Sequence, residues 1–321
     1  MPQISVRFRN FWPDFIPEDF FIPLVQGIAS GIDVVAVTDG PADLEFVSVF
    51  DSRASLVTEV TRRLSSRAPR RLSPALAGLH APVGPDPTAR VSVWYSGENI
   101  RPPRGDWDLY LSFDADSRLS RNCYLPLWWL QFPELLAPIP AGPAAQKRYA
   151  DLPTLFDCMS SRTTDTADRP GFACAIIGNP EPVRMRAIDA LRQIGPVEVF
   201  GRLTGRPVPN KADVLRDYRF ALCFENDVYP GYVTEKLIDV WAAGTIPLWS
   251  GLEPQGFMNA AAIVNLATFA GLDEFTAAVA GIDADRAAVA EMATQPLLLR
   301  RPSLDAVRAE IGRVLSIAGI L

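Results

Sequence analysis

Histidine is almost missing from this sequence, with His80 alone among 321 residues. A Ser-His-Asp or Cys-His mechanism therefore has a single possible base. That residue sits in the loop-like context LAGLHAPVGPDP and reads as an ordinary surface side chain. Cysteine is also sparse. Cys123, Cys158, Cys174 and Cys223 lie far apart and form no CxxC pair. No disulfide framework or zinc spacing is legible, which fits a reducing compartment. Cys174 and Cys223 sit inside apolar runs and read as small core residues. No run approaches the roughly 20 apolar residues of a membrane span, and the N-terminal residues show no secretory pattern. A net charge of −6 argues against general nucleic-acid binding. Lysine is nearly absent too: Lys147, Lys211 and Lys236 are the only ones among 31 basic residues, so a lysine at a structured corner stands out.

What is present describes a folded α/β protein. The hydrophobic fraction is 48% and the charged fraction 21%, ordinary values for a globular chain, and the length suits two domains. Gln3 to Phe8, Asp33 to Val37, Asp43 to Phe50, Arg90 to Tyr95 and Leu109 to Phe113 read as strands of a first domain, residues 1–150. NCYLPLWWLQF is expected to pack behind it. Ala137 to Pro170 is rich in Pro, Ala, Ser, Thr and Asp and reads as the connection, with a short helix from Leu152 to Met159. A second domain, residues 151–321, alternates strands (Gly171 to Ile177, Val197 to Phe200, Ala262 to Leu266) with helices, among them Val183 to Ile194. Its terminal helices are free to pack back on the first domain. The last, Leu304 to Leu315, carries the stripe Val307, Ile311, Val314, Leu315. Five arginines, Arg62, Arg63, Arg67, Arg70 and Arg71, read as a solvated helix face and loop. The alternative is a patch for an anionic lipid-linked partner or a membrane surface.

The most informative stretch is Phe220 to Gly251, FALCFENDVYPGYVTEKLIDVWAAGTIPLWSG. Phe220 to Phe224 has the make-up of a buried strand, and Glu225 to Gly231 that of a turn-rich loop. Thr234 reads as a helix N-cap with Glu235 and Lys236 in the first turn. Leu237, Ile238, Val240 and Trp241 supply the buried face, Gly244 the C′ position, and Ile246 to Trp249 the next strand. The unit is one βαβ step, with Glu225, Asn226, Tyr232, Glu235 and Lys236 crowded at a corner of the kind that receives phosphate. Packing alone explains Leu237 and Gly244 but not that crowding.

FEN, YVTEKL and the Ala-Gly-Thr-Ile-Pro step closely resemble the α1,3-fucosyltransferases that use GDP-fucose. SGEN at 96–99, LYLSFD at 109–114 and Asn179-Pro180 extend the likeness over roughly residues 3–270. The resemblance implies two Rossmann-like domains facing across a cleft, the glycosyltransferase-B architecture. The first would bind the acceptor and the second GDP-fucose. It implies Glu98 as the catalytic base, at the end of a strand where Gly97 lets backbone approach a ligand. It implies donor contacts from Arg184, Lys236, Glu235, Tyr232, Asn226, Glu225 and Thr234. Arg184 would fork onto the diphosphate, and Arg186 is the second choice because the chain is one residue shorter there. Trp12 and Phe15, in the aromatic loop after the first strand, either face the acceptor sugar or close the end of the core. Asp114-Ala115-Asp116 has metal-site spacing but reads as a surface turn, so no metal and no cofactor are expected; GDP-fucose is a co-substrate. The implied reaction is inverting transfer of L-fucose to an oligosaccharide or lipid-linked glycan bearing N-acetylglucosamine, α1,3 to give a Lewis-x type product. Alternatives are another nucleotide sugar or a catalytically silent sugar-nucleotide-binding module. Without an anchor the chain resembles a bacterial, cytoplasmic form, with at most peripheral contact at the inner face of the membrane.

Overall fold

The structure is a computed structural model that describes residues 2–50, 84–139 and 152–321. His80 and the arginines at 62–71 lie outside the described residues. The chain forms two compact units. The first comprises residues 1–125, 136–146 and 304–321, and the second residues 126–135 and 147–303, each as far as described.

In the first unit, β1 (Gln3–Arg9), β2 (Asp33–Val37), β3 (Ala42–Val47), β4 (Ala89–Tyr95), β5 (Leu109–Ser112) and β6 (Asn122–Tyr124) form a parallel sheet in the order β2-β1-β3-β4-β5-β6. A short helix α1 (Phe21–Gln26) enters between β1 and β2. The inner strands are buried almost without alternation: all of Leu109–Ser112 and the last five residues of β4 are inaccessible. Strands of a parallel sheet covered on both faces must read this way, which is why short apolar runs located them. β3 stops at Val47, three residues before the expected end.

The second unit opens with α2 (Leu155–Cys158), closed by a capping box in which the Thr154 hydroxyl accepts from the Asp157 N–H and the Asp157 carboxylate accepts from the Thr154 N–H. Then follow β7 (Gly171–Ile176), α3 (Pro182–Leu191), β8 (Val197–Phe200), α4 (Lys211–Leu215), β9 (Tyr218–Leu222), α5 (Lys236–Ala242), β10 (Ile246–Trp249) and β11 (Val264–Asn265). The strands pair in parallel in the order β11-β10-β9-β7-β8. α6 (Leu272–Ala284) and α7 (Arg286–Thr294) complete its core, Phe275, Val279, Val289 and Ala293 packing with Phe172, Phe220 and Leu248. The last helix, α8 (Asp305–Ile317), buries Val307, Ile311, Val314 and Leu315 and packs on β5, β6 and α1 of the first unit. WWLQF behaves differently from the expectation. Its strand neighbour β6 stays with the first sheet, but Trp128 and Trp129 pack edge-on against Phe257 of the second unit. Among the described residues no helix is long and apolar enough to cross a membrane.

The four cysteines are free and buried. Burial pushes the thiols of Cys123, Cys158 and Cys174 up to about 11, 12 and 12, so these sulfurs are inert core atoms.

The C′ glycine of α5 has φ +79°, and its N–H donates to Trp241 O at 2.9 Å. A Cβ on Gly244 would lie 2.5 Å from Arg169 Nη2 and 3.0 Å from Thr164 Oγ1. Arg169 cannot move aside cheaply, because its guanidinium donates to Tyr218 O, Thr245 Oγ1 and Ala243 O. Gly244→Ala is therefore expected to destabilise the fold by about 1–3 kcal/mol, read as a lower urea midpoint at unchanged slope. An unchanged midpoint would contradict the strain.

Candidate active site

Both sheets reverse strand order once, and the residues in question gather at those two points. In the second sheet the chain winds outward from β7 to β8, then returns to the other side of β7 to make β9. The carboxyl ends of β7 and β9 therefore diverge and leave a crevice, the usual ligand position in doubly wound sheets. A cavity of about 270 Å3 opens there. Ile176, Ile177, Gly178 and Asn179 line it from the end of β7, and Leu222, Cys223, Phe224 and Asn226 from the end of β9. Arg184 enters from α3, Lys211 and Leu215 from α4, and Glu235, Lys236, Asp239 and Val240 from α5 and the residue before it; Arg202 closes the rim.

Arg184 is buried in the wall. Its Nη2 donates to Phe224 O (2.6 Å) and Asn226 Oδ1 (2.8 Å), and Nη1 to Asn179 O (3.2 Å). Three of its five N–H groups are thus taken. Nη2 belongs to both two-pronged edges of a guanidinium, so the expected fork is closed while these bonds hold, and single hydrogen bonds remain for a ligand. Burial pushes the Arg184 guanidinium below its ordinary value, and the carboxylates of Glu225 and Glu181 oppose that shift. Arg186, two residues on, is exposed and does not line the cavity.

The corner before α5 differs in detail from the sequence expectation. The helix begins at Lys236, so the N-cap position falls on Glu235, whose side chain makes no capping bond. Thr234 donates its N–H and hydroxyl to Glu225, at 2.9 and 2.8 Å, and its oxygen accepts from the Lys236 N–H only at a long 3.5 Å. Glu225 and Tyr232 are buried (1% exposed each) and lie behind the cavity lining rather than in it. Lys236 Nζ sits 3.0 Å from Glu225 Oε2. Glu235 is half-exposed in the cavity, and Asn226 is exposed at its mouth.

Sequence reading missed Lys211, Arg202 and Asp239. Lys211 Nζ donates to Asp239 Oδ2 at 2.6 Å and lies 3.8 Å from Glu235 Oε1. Burial acts downward on the Lys211 ammonium, but the Asp239 and Glu235 carboxylates outweigh it and raise its pKa. Burial raises the Asp239 carboxyl, and Lys211 only partly offsets it. The scarcity of lysine was the available signal: two of the chain's three lysines stand on this cavity.

The first sheet reverses between β1 and β3. Trp12 and Phe15, after β1, pack with Phe11, Phe8 and Phe21, and Trp12 meets Phe50, after β3, edge-on at 6.1 Å. Both rings stay half-buried, so they close the end of the core and still present surface. Glu98 follows the neighbouring β4 and is half-buried. Gly97 passes close to its neighbours there: a Cβ would stand 2.4 Å from Ser48 Oγ and 3.3 Å from the Phe50 ring, so Ser48 would have to turn aside to admit one. Asp114 is buried and Asp116 exposed, so the pair is not a plain surface turn and its carboxylates do not share one environment. The structure thus collects Arg184, Asn226, Glu235 and Lys236 on one cavity of the second unit, with Glu225, Thr234 and Tyr232 beneath it. Glu98, Trp12 and Phe15 lie at strand ends of the first unit.

Comparison with known proteins bears on both units. Residues 167–292 match the family described as glycosyltransferase family 10 (fucosyltransferase), C-terminal. Over 201 residues the chain is 32% identical to the alpha-(1,3)-fucosyltransferase FucT of Helicobacter pylori, covering 57% of this chain and 42% of that one. It is 33% identical over 123 residues to alpha-(1,3)-fucosyltransferase 7 of Homo sapiens, 36% of either chain. The chain spans about half the length, or less, of these curated relatives. A solved alpha1,3-fucosyltransferase is similar with a TM-score of 0.67 at 22% identity, covering 98% of this chain and 90% of that one. A structure of an alpha1,3-fucosyltransferase with GDP-fucose gives 0.65 at 21%, covering 98% and 91%. At that identity the likeness establishes the fold, two Rossmann-like domains.

Proposed function

We propose that this chain, whose second unit carries the C-terminal domain of glycosyltransferase family 10, transfers L-fucose from GDP-β-L-fucose to a hydroxyl of an N-acetylglucosamine-containing glycan. Inversion of the β-linked donor would give an α linkage, and attack by the 3-hydroxyl an α1,3-linked, Lewis-x type product. The observation that carries the reading is the cation-lined cavity between the carboxyl ends of β7 and β9, inside the matched residues. A donor diphosphate needs its charge held as the bond to fucose breaks. Arg184 offers its remaining N–H groups and Lys236 a point charge, and both gain strength as charge builds on the leaving oxygens. Asn226 and Tyr232 shape the pocket, and Glu235 faces positive charge developing on the fucosyl ring. Glu98 takes the proton from the attacking hydroxyl. Trp12 and Phe15 offer aromatic faces to the C–H surface of the acceptor sugar. One base and one displacement invert the anomeric centre. The side-chain cations Arg184, Arg202, Lys211 and Lys236 supply the charge that a divalent ion supplies in other transferases, so the reaction is metal-independent.

Glu98→Gln keeps size and removes the proton acceptor. Transfer is expected to fall on the order of 10²–10⁴-fold with GDP-fucose affinity kept, and a loss within fivefold would assign the base elsewhere. Arg184→Ala is expected to weaken GDP binding by about one to two decades, the value of a charge-assisted hydrogen bond. Arg186→Ala should leave it within about twofold, as for an exposed side chain. Calorimetry on both variants decides, and equal effects would remove the diphosphate from this wall. Activity should survive EDTA; restoration of an EDTA-abolished reaction by a divalent ion would require a metal site.

A further inference from the structure

Glu225 is buried, yet four donors from three residues converge on it. Oε1 accepts from the Thr234 N–H (2.9 Å) and Trp249 Nε1 (3.5 Å), and Oε2 from Thr234 Oγ1 (2.8 Å) and Lys236 Nζ (3.0 Å). Its own N–H donates to Ser250 O, so the backbone is fixed to the end of β10 as well. Each carboxylate oxygen thus has two protein donors, and Glu225 does not line the cavity. Lys236 is the one member of this group that reaches the lining, with its side chain about one quarter exposed. Its ammonium also stands 3.2 Å from Thr234 Oγ1, so two oxygens hold it from behind. A lysine stem has four rotatable bonds, and ordering it costs entropy that a ligand would otherwise have to overcome.

Resting on the reading of this cavity as a diphosphate site, we propose that Glu225 is a positioning residue for Lys236. Its carboxylate holds the ammonium at the cavity wall before the donor arrives, and it touches no part of the donor. This replaces the direct donor contact that resemblance implies for Glu225. It also accounts for Thr234, whose hydroxyl bridges the carboxylate and the ammonium.

The test is a double-mutant cycle on the intact chain, with kcat, KM for GDP-fucose, GDP affinity by calorimetry and Tm measured for each variant. Lys236→Ala and Glu225→Gln are each expected to lower kcat/KM by about 10–100-fold, with most of the loss in kcat, since the ammonium acts most on the breaking bond. With Lys236 already alanine, Glu225→Gln should cost less than about threefold, because its effect runs through the ammonium. An equal cost in both backgrounds would overturn the proposal in favour of a structural role. Tighter GDP binding by Glu225→Gln would overturn it in favour of a counter-charge. Thr234→Val covers the case in which Glu225→Gln fails to fold, since it keeps volume and removes only the bridging oxygen. It should cost about 3–10-fold with Lys236 present and nothing without it; a loss in both backgrounds would overturn the proposal. If the wild type binds GDP but transfers no fucose, the proposed function fails alone, and the same cycle is scored on GDP affinity. If the wild type binds no GDP, both fail.

Discussion

The constraint behind the second unit is a reversal of winding. A parallel sheet must route each connection over a face, and the change of direction at β7 leaves the carboxyl ends of β7 and β9 with no crossover between them. The candidate site residues described in that unit are hung from this gap. α3 delivers Arg184, α4 delivers Lys211, and the loop after β9 delivers Asn226 and the residues leading to Lys236. The side chains at the gap are polar and partly paired among themselves. Lys236 rests on Glu225, Lys211 on Asp239, and Arg184 on carbonyl oxygens and Asn226. An incoming anion thus meets cations already held in place, and what it gains is their unused faces.

The first unit repeats the logic with different chemistry. Its reversal between β1 and β3 is filled by rings instead of charges: Phe8, Phe11, Trp12, Phe15 and Phe21 pack on one another, with Phe50 at the edge. Glu98 follows the adjacent strand, where Gly97 passes close to Ser48. A carboxylate and half-buried aromatic faces at the ends of neighbouring strands suit a sugar hydroxyl, just as clustered cations suit a diphosphate.

Most of this frame was legible in the sequence because buried parallel strands leave short uninterrupted apolar runs. β8 and β10 fall on Val197 to Phe200 and Ile246 to Trp249 as expected, and Gly244 takes the left-handed C′ position. The motif FEN with YVTEKL located the corner. What it could not reveal is which polar atoms pair inside that corner. Thr234 has the right chemistry for a cap, but the helix starts at Lys236, one residue late for it, and its oxygen meets the Lys236 N–H only at 3.5 Å while its proton goes to the buried Glu225 carboxylate. Arg184 has the right chemistry for a fork, but Phe224 O and Asn226 take the nitrogen that both prongs share. Lys211 and Asp239 escaped notice because an i-to-far pair, 28 residues apart, leaves no local pattern. The place of WWLQF was equally hidden, since an apolar run specifies burial and not the partner it is buried against.

The last helix of the chain belongs to the first sheet. α8 follows all strands of the second unit, yet its stripe of Val307, Ile311, Val314 and Leu315 packs on β5, β6 and α1. In terms of synthesis, the order in which the units become complete is the reverse of the order in which they begin. The second unit has all its residues once Ser303 has left the ribosome, while the first, started at the N-terminus, still lacks thirteen helical residues that cover its sheet. Until they emerge, part of that sheet's apolar surface is open to any other chain nearby.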